Sequence, residues 1–279
     1  VPDFPGQLYR DAYGSIWGRL NDRYGGEVVK GVLQDGWELL DGYRMPDFGS
    51  PHHYLHVAEA FAACPDLYHV GLLPGFPFAI MRYMRRMDHF LMDVLVHQPE
   101  VLRLNGMVVD MLLACIDNQA RAGADAVTFA EDWGTQDRLL VSPALWRRLF
   151  KPSFRVLVDR AHAHNMHVIM HSCGYIYEII EDLIEVGIDA LQLDQPELMG
   201  VERLAREFGG RIAFYCPVDI QRVMQTGDKA TIQREARRMV ELLGGFSGGF
   251  IAKDYPQWEA IGVPDEWAQW AREAFMEPG

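Results

Sequence analysis

Short apolar runs alternate with longer amphipathic segments along most of this sequence of 279 residues. Such an alternation predicts parallel strand–helix units. Residues 79–95 and 99–121 carry apolar positions at helical spacing, and Ser142 followed by Pro143 predicts the N-cap and first residue of another helix. Six apolar runs read as strands, and they lie near residues 70, 128, 169, 191, 213 and 250.

Two α/β layouts contain such units, a doubly wound open sheet and a TIM-type (β/α)8 barrel. Polar or reactive residues follow the strands repeatedly, as in barrel enzymes, whereas an open sheet usually concentrates its site at one switch point. The common glycine-rich nucleotide fingerprints are absent from the sequence. The pattern therefore favours the barrel.

We expect a single domain over residues 1–279, with strand–helix units over 66–279 and an irregular N-terminal part over 1–65. Frequent glycines interrupt any long helix in that part, and Val28 to Leu33 predicts a short strand or hairpin arm. The first two strands of a barrel are not found. Because the sequence also begins at Val1, we expect that N-terminal residues of a parent protein are missing.

Charge and cysteine content exclude several classes of protein. The chain has 39 acidic and 26 basic residues and a formal net charge of −13, which argues against a nucleic-acid partner. Its apolar runs are too short for a membrane-spanning helix. Four cysteines and no signal-peptide pattern favour a cytoplasmic protein over a disulfide scaffold. The oligomeric state stays open, a homo-oligomer included.

The sequence His171-Ser172-Cys173 follows a predicted strand and gives the strongest functional signal. Residues i and i+2 of an extended segment point to the same side, and a nitrogen and a sulfur ligand suit tetrahedral Zn²⁺. Cys216, at the end of another strand, is predicted as the third ligand, although a lone cysteine on a strand is usually core. Glu197 or Asp194 is the candidate fourth ligand.

Other strand ends carry candidate catalytic and substrate-binding residues. A carboxylate in a barrel mouth can act as a base or anchor a substrate, and an aromatic ring beside it offers a stacking wall. Each of these residues singly reads equally well as a capping, packing or surface residue, so the argument rests on their recurrence at one predicted face. The candidate catalytic residues are Asp132, Tyr175 and Asp219, and the candidate substrate-binding residues are Trp133, Gln136, Tyr215, Gln221 and Asp254.

These segments resemble the uroporphyrinogen decarboxylase superfamily. The likeness covers about residues 66–275 and rests on the order and spacing of five segments: F-A-E-D-W-G at 129–134, H-S-C-G at 171–174, V-G-I-D-A-L at 186–191, V-D at 218–219 and G-G-F-I-A at 248–252. The resemblance implies a TIM-type barrel. It also implies one of two activities, since one branch decarboxylates uroporphyrinogen without a cofactor and the other contains zinc methyltransferases that work with methyl-corrinoid proteins.

The H-x-C triplet is similar to the methyltransferase branch, in which a His, a Cys two residues later and a distant Cys bind zinc. His171 and Cys173 match the first two ligands. In the coenzyme M enzymes of that branch the distant Cys follows the last strand, where this sequence has Lys253-Asp254-Tyr255-Pro256. Cys216 follows the preceding strand instead. Cys216, Asp254 and Glu197 are the alternatives for the third ligand, and coenzyme M specificity stays open.

The resemblance thus implies a zinc-dependent methyltransferase that moves a methyl group between a small molecule, a methoxy compound or a thiol, and a corrinoid (cobalamin) protein. One alternative is a cofactor-free decarboxylase-like lyase, which needs basic residues for substrate carboxylates; Lys253 and Arg138 are the main candidates. The other is a barrel that binds a corrinoid or tetrapyrrole without turnover.

Overall fold

The computed structural model describes residues 5–20 and 26–277. These residues form two sheets. The strands are β1 (Gln7–Arg10), β2 (Ile16–Arg19), β3 (Glu27–Lys30), β4 (Val70–Leu72), β5 (Ala126–Ala130), β6 (His167–His171), β7 (Ala190–Gln192), β8 (Ala213–Cys216) and β9 (Phe250–Ala252).

Helices follow the strands of the larger sheet. The α-helices are α1 (Leu55–Ala62), α2 (Pro77–Arg85), α3 (Met87–Val96), α4 (Gln98–Ala122), α5 (Pro143–Leu149), α6 (Lys151–Ala163), α7 (Tyr177–Val186), α8 (Val201–Phe208), α9 (Lys229–Gly244) and α10 (Asp265–Met276). Short 3-10 helices lie at Trp37–Asp41, Pro51–Tyr54, Pro196–Leu198, Met224–Thr226 and Glu259–Ile261.

The larger sheet has six strands in the order β4-β5-β6-β7-β8-β9, the order in which they occur in the chain. Parallel strands joined by helical crossovers in chain order are the repeating unit of a TIM-type barrel. The predicted fold class and the positions of all six predicted strands are therefore confirmed.

The chain divides into two compact units. The first contains the described residues up to Glu131 together with Val141–Val168. It includes a small antiparallel sheet of β1, β2 and β3, so the short strand predicted near Val28 is confirmed and belongs to a three-stranded sheet. Aromatic rings fill the interior of this first unit, where Phe76 and Phe129 stack at a centroid distance of 3.6 Å.

The second unit contains Asp132–Leu140 and the described residues from Ile169 onward. Strands β6, β7, β8 and β9 pair with one another in parallel, and the pairing extends to the carboxyl ends of the strands. A buried apolar cluster between α9 and α10 includes Ile232, Ala236 and Ala271. Within the described residues, no helix is both long and apolar enough to cross a bilayer.

Local sequence signals explain where several helices begin and end. The Ser142 hydroxyl accepts a hydrogen bond from the Leu145 N–H at 3.3 Å, and Pro143 is the first helical residue, as predicted. The helical pattern of residues 79–95 is divided into α2 and α3 because Arg86 adopts φ of 66°. A positive φ cannot continue a right-handed helix, and Arg86 forms an ion pair with Asp88 at the start of α3.

Candidate metal centre

His171, the last residue of β6, lies in a row of paired residues across four parallel strands. It pairs with Gln192 of β7, which pairs with Tyr215 of β8, which pairs with Ile251 of β9. Paired residues of neighbouring strands place their side chains on the same face of a sheet. The face that carries the His171 imidazole at this end of the sheet therefore also carries Tyr215.

Three potential metal ligands meet at the end of β6. The Cys173 Sγ lies 3.3 Å from the His171 Nε2, and that nitrogen lies 3.6 Å from the Asp132 Oδ1. One ligand atom from each of Asp132, His171 and Cys173 lies within 4.8 Å of the other two. The structure thus brings together the two predicted ligands at the H-x-C triplet and the carboxylate that was predicted as catalytic.

The spacing of these atoms fits a tetrahedral metal ion. Ligands about 2.0–2.3 Å from a tetrahedral zinc lie about 3.3–3.8 Å from one another. The distances from the His171 Nε2 to the Cys173 Sγ and to the Asp132 Oδ1 both fall within this range. Nitrogen, sulfur and carboxylate oxygen are also the three donor types that zinc accepts. The donor set and its dimensions therefore fit zinc.

Two loops hold Asp132 against the H-x-C segment. The Asp132 Oδ1 accepts the Cys173 N–H at 2.9 Å, and the Ser172 Oγ accepts the Trp133 N–H at 3.1 Å. The Thr135 carbonyl accepts the Tyr175 N–H at 2.8 Å. These bonds fix the carboxylate beside the thiol.

Two glycines permit this close approach. A Cβ atom added to Gly134 would lie 2.4 Å from the Tyr175 nitrogen, and one added to Gly174 would lie 2.5 Å from the Gly134 carbonyl carbon. Gly174 also has φ of 79°, a conformation that glycine adopts without strain. Larger residues here would push the two loops apart.

The protein holds Cys173 as a thiol when no cation is bound. Burial, with smaller contributions from the Asp132 and Asp194 carboxylates, raises the pKa of Cys173 to about 12. A bound divalent cation would favour the thiolate of Cys173 over the thiol, because coordination deprotonates a thiol. The Nε2 of His171 is the nitrogen placed to coordinate a cation, because it faces the Cys173 Sγ and the Asp132 Oδ1, whereas Nδ1 is buried without a hydrogen-bond partner in the described structure.

Cys216 lies outside the group of three ligands. Its neighbour Tyr215 is in the row with His171, and successive residues of a strand point to opposite faces. The Cys216 side chain therefore lies on the other face of the sheet, where it is fully buried. Burial raises the pKa of Cys216 to about 12. Its role as a zinc ligand stays a prediction.

The two candidate fourth ligands are paired with cations. Asp194 accepts a hydrogen bond from the Lys253 Nζ at 2.6 Å, and Glu197 forms an ion pair with Arg238 at 2.9 Å. Among the described residues, neither carboxylate belongs to the group formed with His171 and Cys173.

The candidate substrate residues occupy different environments. The Trp133 side chain is fully buried, Gln136 is exposed, and Tyr175 and Tyr215 are half-buried. The structure thus presents the two tyrosines, but not the Trp133 ring, at the surface. The substrate roles of all four residues stay predictions.

Three further candidates organise loops in the structure. The buried Asp219 carboxylate accepts the N–H groups of Gln221 at 2.9 Å and Arg222 at 2.8 Å, and burial raises its pKa. Gln221 is exposed. Asp254 is exposed and accepts the Trp258 indole N–H at 2.9 Å. Their catalytic or binding roles stay predictions.

Glu131 directly precedes Asp132 in the F-A-E-D-W-G segment, and the sequence alone does not distinguish the roles of these two carboxylates. The structure separates them: the buried Glu131 carboxylate accepts the N–H groups of Phe78 at 2.9 Å and Ala79 at 2.8 Å. These N–H groups begin α2 and have no partner within the helix. Sequence reasoning also missed Tyr255, whose only signal is its place shortly after the last strand.

Comparison with known proteins gives the family. Residues 55–253 match the model of the uroporphyrinogen decarboxylase (URO-D) family. Since the match covers most of the chain, this protein belongs to that family. No curated protein sequence matches it significantly.

One solved structure supports the fold. A methyltransferase from Methanosarcina mazei superposes with a TM-score of 0.62 at 18% identity, covering 98% of this chain and 75% of that chain. A D-psicose 3-epimerase crystallised with D-fructose gives a TM-score of 0.40 at 14% identity, covering 61% of this chain and 69% of that chain. At this identity the first match establishes a shared fold.

Proposed function

We propose that this protein is a zinc-dependent methyltransferase that transfers a methyl group between a methylated small molecule, a methoxy compound or a thiol, and a corrinoid protein. The observation that carries the proposal is the Asp132, His171 and Cys173 group, because its dimensions and donor types fit zinc. Membership of the URO-D family and the fold shared with a methyltransferase support it.

Each of the three residues has a defined part in holding the metal. His171 offers Nε2, Cys173 offers Sγ and Asp132 offers a carboxylate oxygen, while the Cys173 N–H keeps that carboxylate in place. Three protein ligands leave a fourth tetrahedral position for a substrate, as in catalytic zinc sites. When bound there, zinc supplies Lewis acidity toward a methoxy oxygen or lowers the pKa of a thiol.

Residues around this position would bind and orient the small molecule. Tyr215 shares the face of His171, and Tyr175 follows the H-x-C segment by two residues. Both hydroxyls can donate or accept a hydrogen bond. Asp132 combines two proposed roles, as metal ligand and as one wall of the substrate site.

Metal content tests the proposal directly. We expect about one zinc per chain in protein purified without chelator, measured by elemental mass spectrometry. His171→Ala, Cys173→Ala and Asp132→Ala should each lose most of the zinc. Cys216→Ser should keep it if Asp132 is the third ligand, and should lose it if Cys216 is.

Methyl transfer is tested with cob(I)alamin, whose conversion to methylcob(III)alamin changes its visible spectrum. Zinc-loaded protein should catalyse this conversion from a suitable methoxy or methylthio compound, and the Cys173→Ala variant should not. A wild-type protein without zinc would remove the basis of the proposal. The decarboxylase-like lyase would then be the alternative. The basic residues that such a lyase needs for substrate carboxylates, Lys253 and Arg138, form ion pairs with Asp194 and Asp137.

A further inference from the structure

A buried lysine lies beside the candidate metal centre. The Nζ of Lys253, just after β9, lies 2.6 Å from the Asp194 Oδ1, and the two side chains are 8% and 7% exposed. Lys253 is two residues beyond Ile251, which belongs to the row of paired residues that contains His171. The ammonium group is therefore on the face and at the end of the sheet that carry Cys173.

This ammonium group has unused hydrogen-bonding capacity. A lysine ammonium has three N–H donors, and within the described residues Asp194 is the only hydrogen-bond acceptor of the Lys253 Nζ. Buried polar groups are normally satisfied, and a buried ion pair is weak evidence for a stabilising role. The unused donors point to a ligand that supplies an acceptor.

Two tyrosine rings flank the same group. The Lys253 Nζ lies 6.0 Å from the Tyr215 ring centroid and 5.4 Å from that of Tyr255, so the lysine already uses the cation–π attraction of both rings. Burial and the Asp194 charge raise the pKa of both tyrosines, which keeps their hydroxyls protonated. This wall therefore offers hydrogen-bond donors, and the Lys253 ammonium group already occupies its two aromatic faces.

We propose that Lys253 binds an oxygen atom of the small-molecule substrate, and that the protein thereby selects methoxy or hydroxy compounds over methylammonium compounds. The inference rests on the proposed function, because it names the substrate class of that site. An ether, hydroxyl or phenolate oxygen accepts a hydrogen bond from the ammonium group. A quaternary methylammonium has no acceptor, carries the same charge as Lys253 and finds the two aromatic faces occupied.

The proposal predicts opposite changes for two probes when the charge is removed. Isothermal titration calorimetry would measure the binding of 4-methoxyphenol and of tetramethylammonium to the full chain. The wild-type protein should bind 4-methoxyphenol at least about tenfold more tightly, since a hydrogen bond to a charged group is worth about that factor. In Lys253→Met this affinity should fall at least about tenfold, while tetramethylammonium binding should strengthen because Asp194, Tyr215 and Tyr255 are then free to receive a cation.

A matched control comes from the same unit. Lys229 is exposed, and its Nζ lies 5.8 Å from the Trp270 ring centroid, so Lys229→Met removes a similar cation–π contact away from the site. It should change neither affinity. Lys253→Arg, which keeps the charge, should keep the preference for 4-methoxyphenol.

The wild-type comparison decides the proposal even if Lys253→Met does not fold. A wild-type protein that binds tetramethylammonium as tightly as 4-methoxyphenol would overturn it, and so would a folded Lys253→Met variant with unchanged affinities. Zinc content measured in parallel keeps the two proposals apart. Protein without zinc counts against the methyltransferase function, while the selectivity of that same protein still decides the role of Lys253.

Discussion

The half-buried thiol of Cys173 and the buried thiol of Cys216 lie on different faces of the sheet. Cys173 is beside His171, whereas Cys216 is packed in the interior, and burial is the largest cause of the raised pKa of each, to about 12. An unfolded cysteine titrates at about pH 8.5. The folded state therefore holds these protons more tightly than the unfolded state.

This difference predicts how stability depends on pH. A raised pKa contributes stability that is present below the unfolded pKa and is lost as pH rises through the folded pKa. The free energy of unfolding of metal-free protein should thus fall between about pH 9 and pH 12. Urea titrations of wild type and Cys216→Ala would separate this thiol from other groups, because the variant should lose less, by about 1.4 kcal/mol for each pH unit. If the free energies of unfolding of wild type and variant fell in parallel with rising pH, the Cys216 thiol would not be a cause of the loss.

Glu131 gives a second prediction at the level of single residues. Its buried carboxylate accepts the Phe78 and Ala79 N–H groups at the start of α2, and an amide in its place would turn an NH₂ group toward one of them. Glu131→Gln should therefore destabilise the protein by about 2–4 kcal/mol, measured by chemical denaturation. The exposed Glu266 in the first turn of α10 is the control, and Glu266→Gln should have a much smaller effect. Equal effects would show that Glu131 does not stabilise α2.

The contact between two loops is the structural element on which the candidate metal centre depends. Gly134→Ala would place a Cβ atom 2.4 Å from the Tyr175 nitrogen, so the loop that carries Asp132 must move away from Cys173. We expect a loss of about 1–3 kcal/mol in stability and weaker zinc binding, measured by denaturation and by zinc competition with a chelator. Gly106→Ala is the matched control.

The control should change stability in the opposite direction. Gly106 lies within α4, is exposed, and has nothing within 4 Å of an added Cβ atom. Alanine favours a helix interior over glycine by up to about 1 kcal/mol, so Gly106→Ala should stabilise the protein slightly and leave zinc binding unchanged. If Gly134→Ala also bound zinc normally, the loop contact would not position Asp132.

The strands show what could and could not be predicted from the sequence. Their positions follow from short apolar runs bounded by turns, and the H-x-C triplet was recognisable because residues i and i+2 of one extended segment share a face whatever their neighbours do. Cys216 differs because its face depends on the register between strands. A shift of one residue moves a side chain to the opposite face, and the pairing of Tyr215 with Gln192 fixes that register only in the folded sheet.

Asp132 and Lys253 required the fold for the same reason. Asp132 reaches the centre through hydrogen bonds and a glycine contact between segments about 40 residues apart in sequence. Lys253 and Asp194 come together from the ends of β9 and β7. Neither contact produces a periodic pattern, so the sequence indicated the chemistry of these residues and not their partners.

At the scale of the whole molecule, the candidate ligands and the Lys253 pair all belong to the second of the two compact units. A ligand that binds the native state alone stabilises it in proportion to the logarithm of its free concentration. Zinc should thus raise the thermal unfolding temperature, a chelator should reverse the change, and His171→Ala should remove it. Zinc that raised the unfolding temperature of His171→Ala equally would bind somewhere else.

The same reasoning predicts where zinc changes local stability. Hydrogen exchange measures local opening, and a zinc ion held by the three candidate ligands would tie residue 132 to residues 171 and 173. Amides of residues 132–136 and 170–176 should exchange more slowly with zinc, whereas α4, which lies in the first unit and contributes no ligand, should change little at temperatures well below unfolding. The measurement is exchange followed by mass spectrometry, with Cys173→Ala as the control that should show no difference. Protection of α4 equal to that of residues 170–176 would mean that zinc stabilises the molecule globally, and protection confined to other segments would place the metal away from His171.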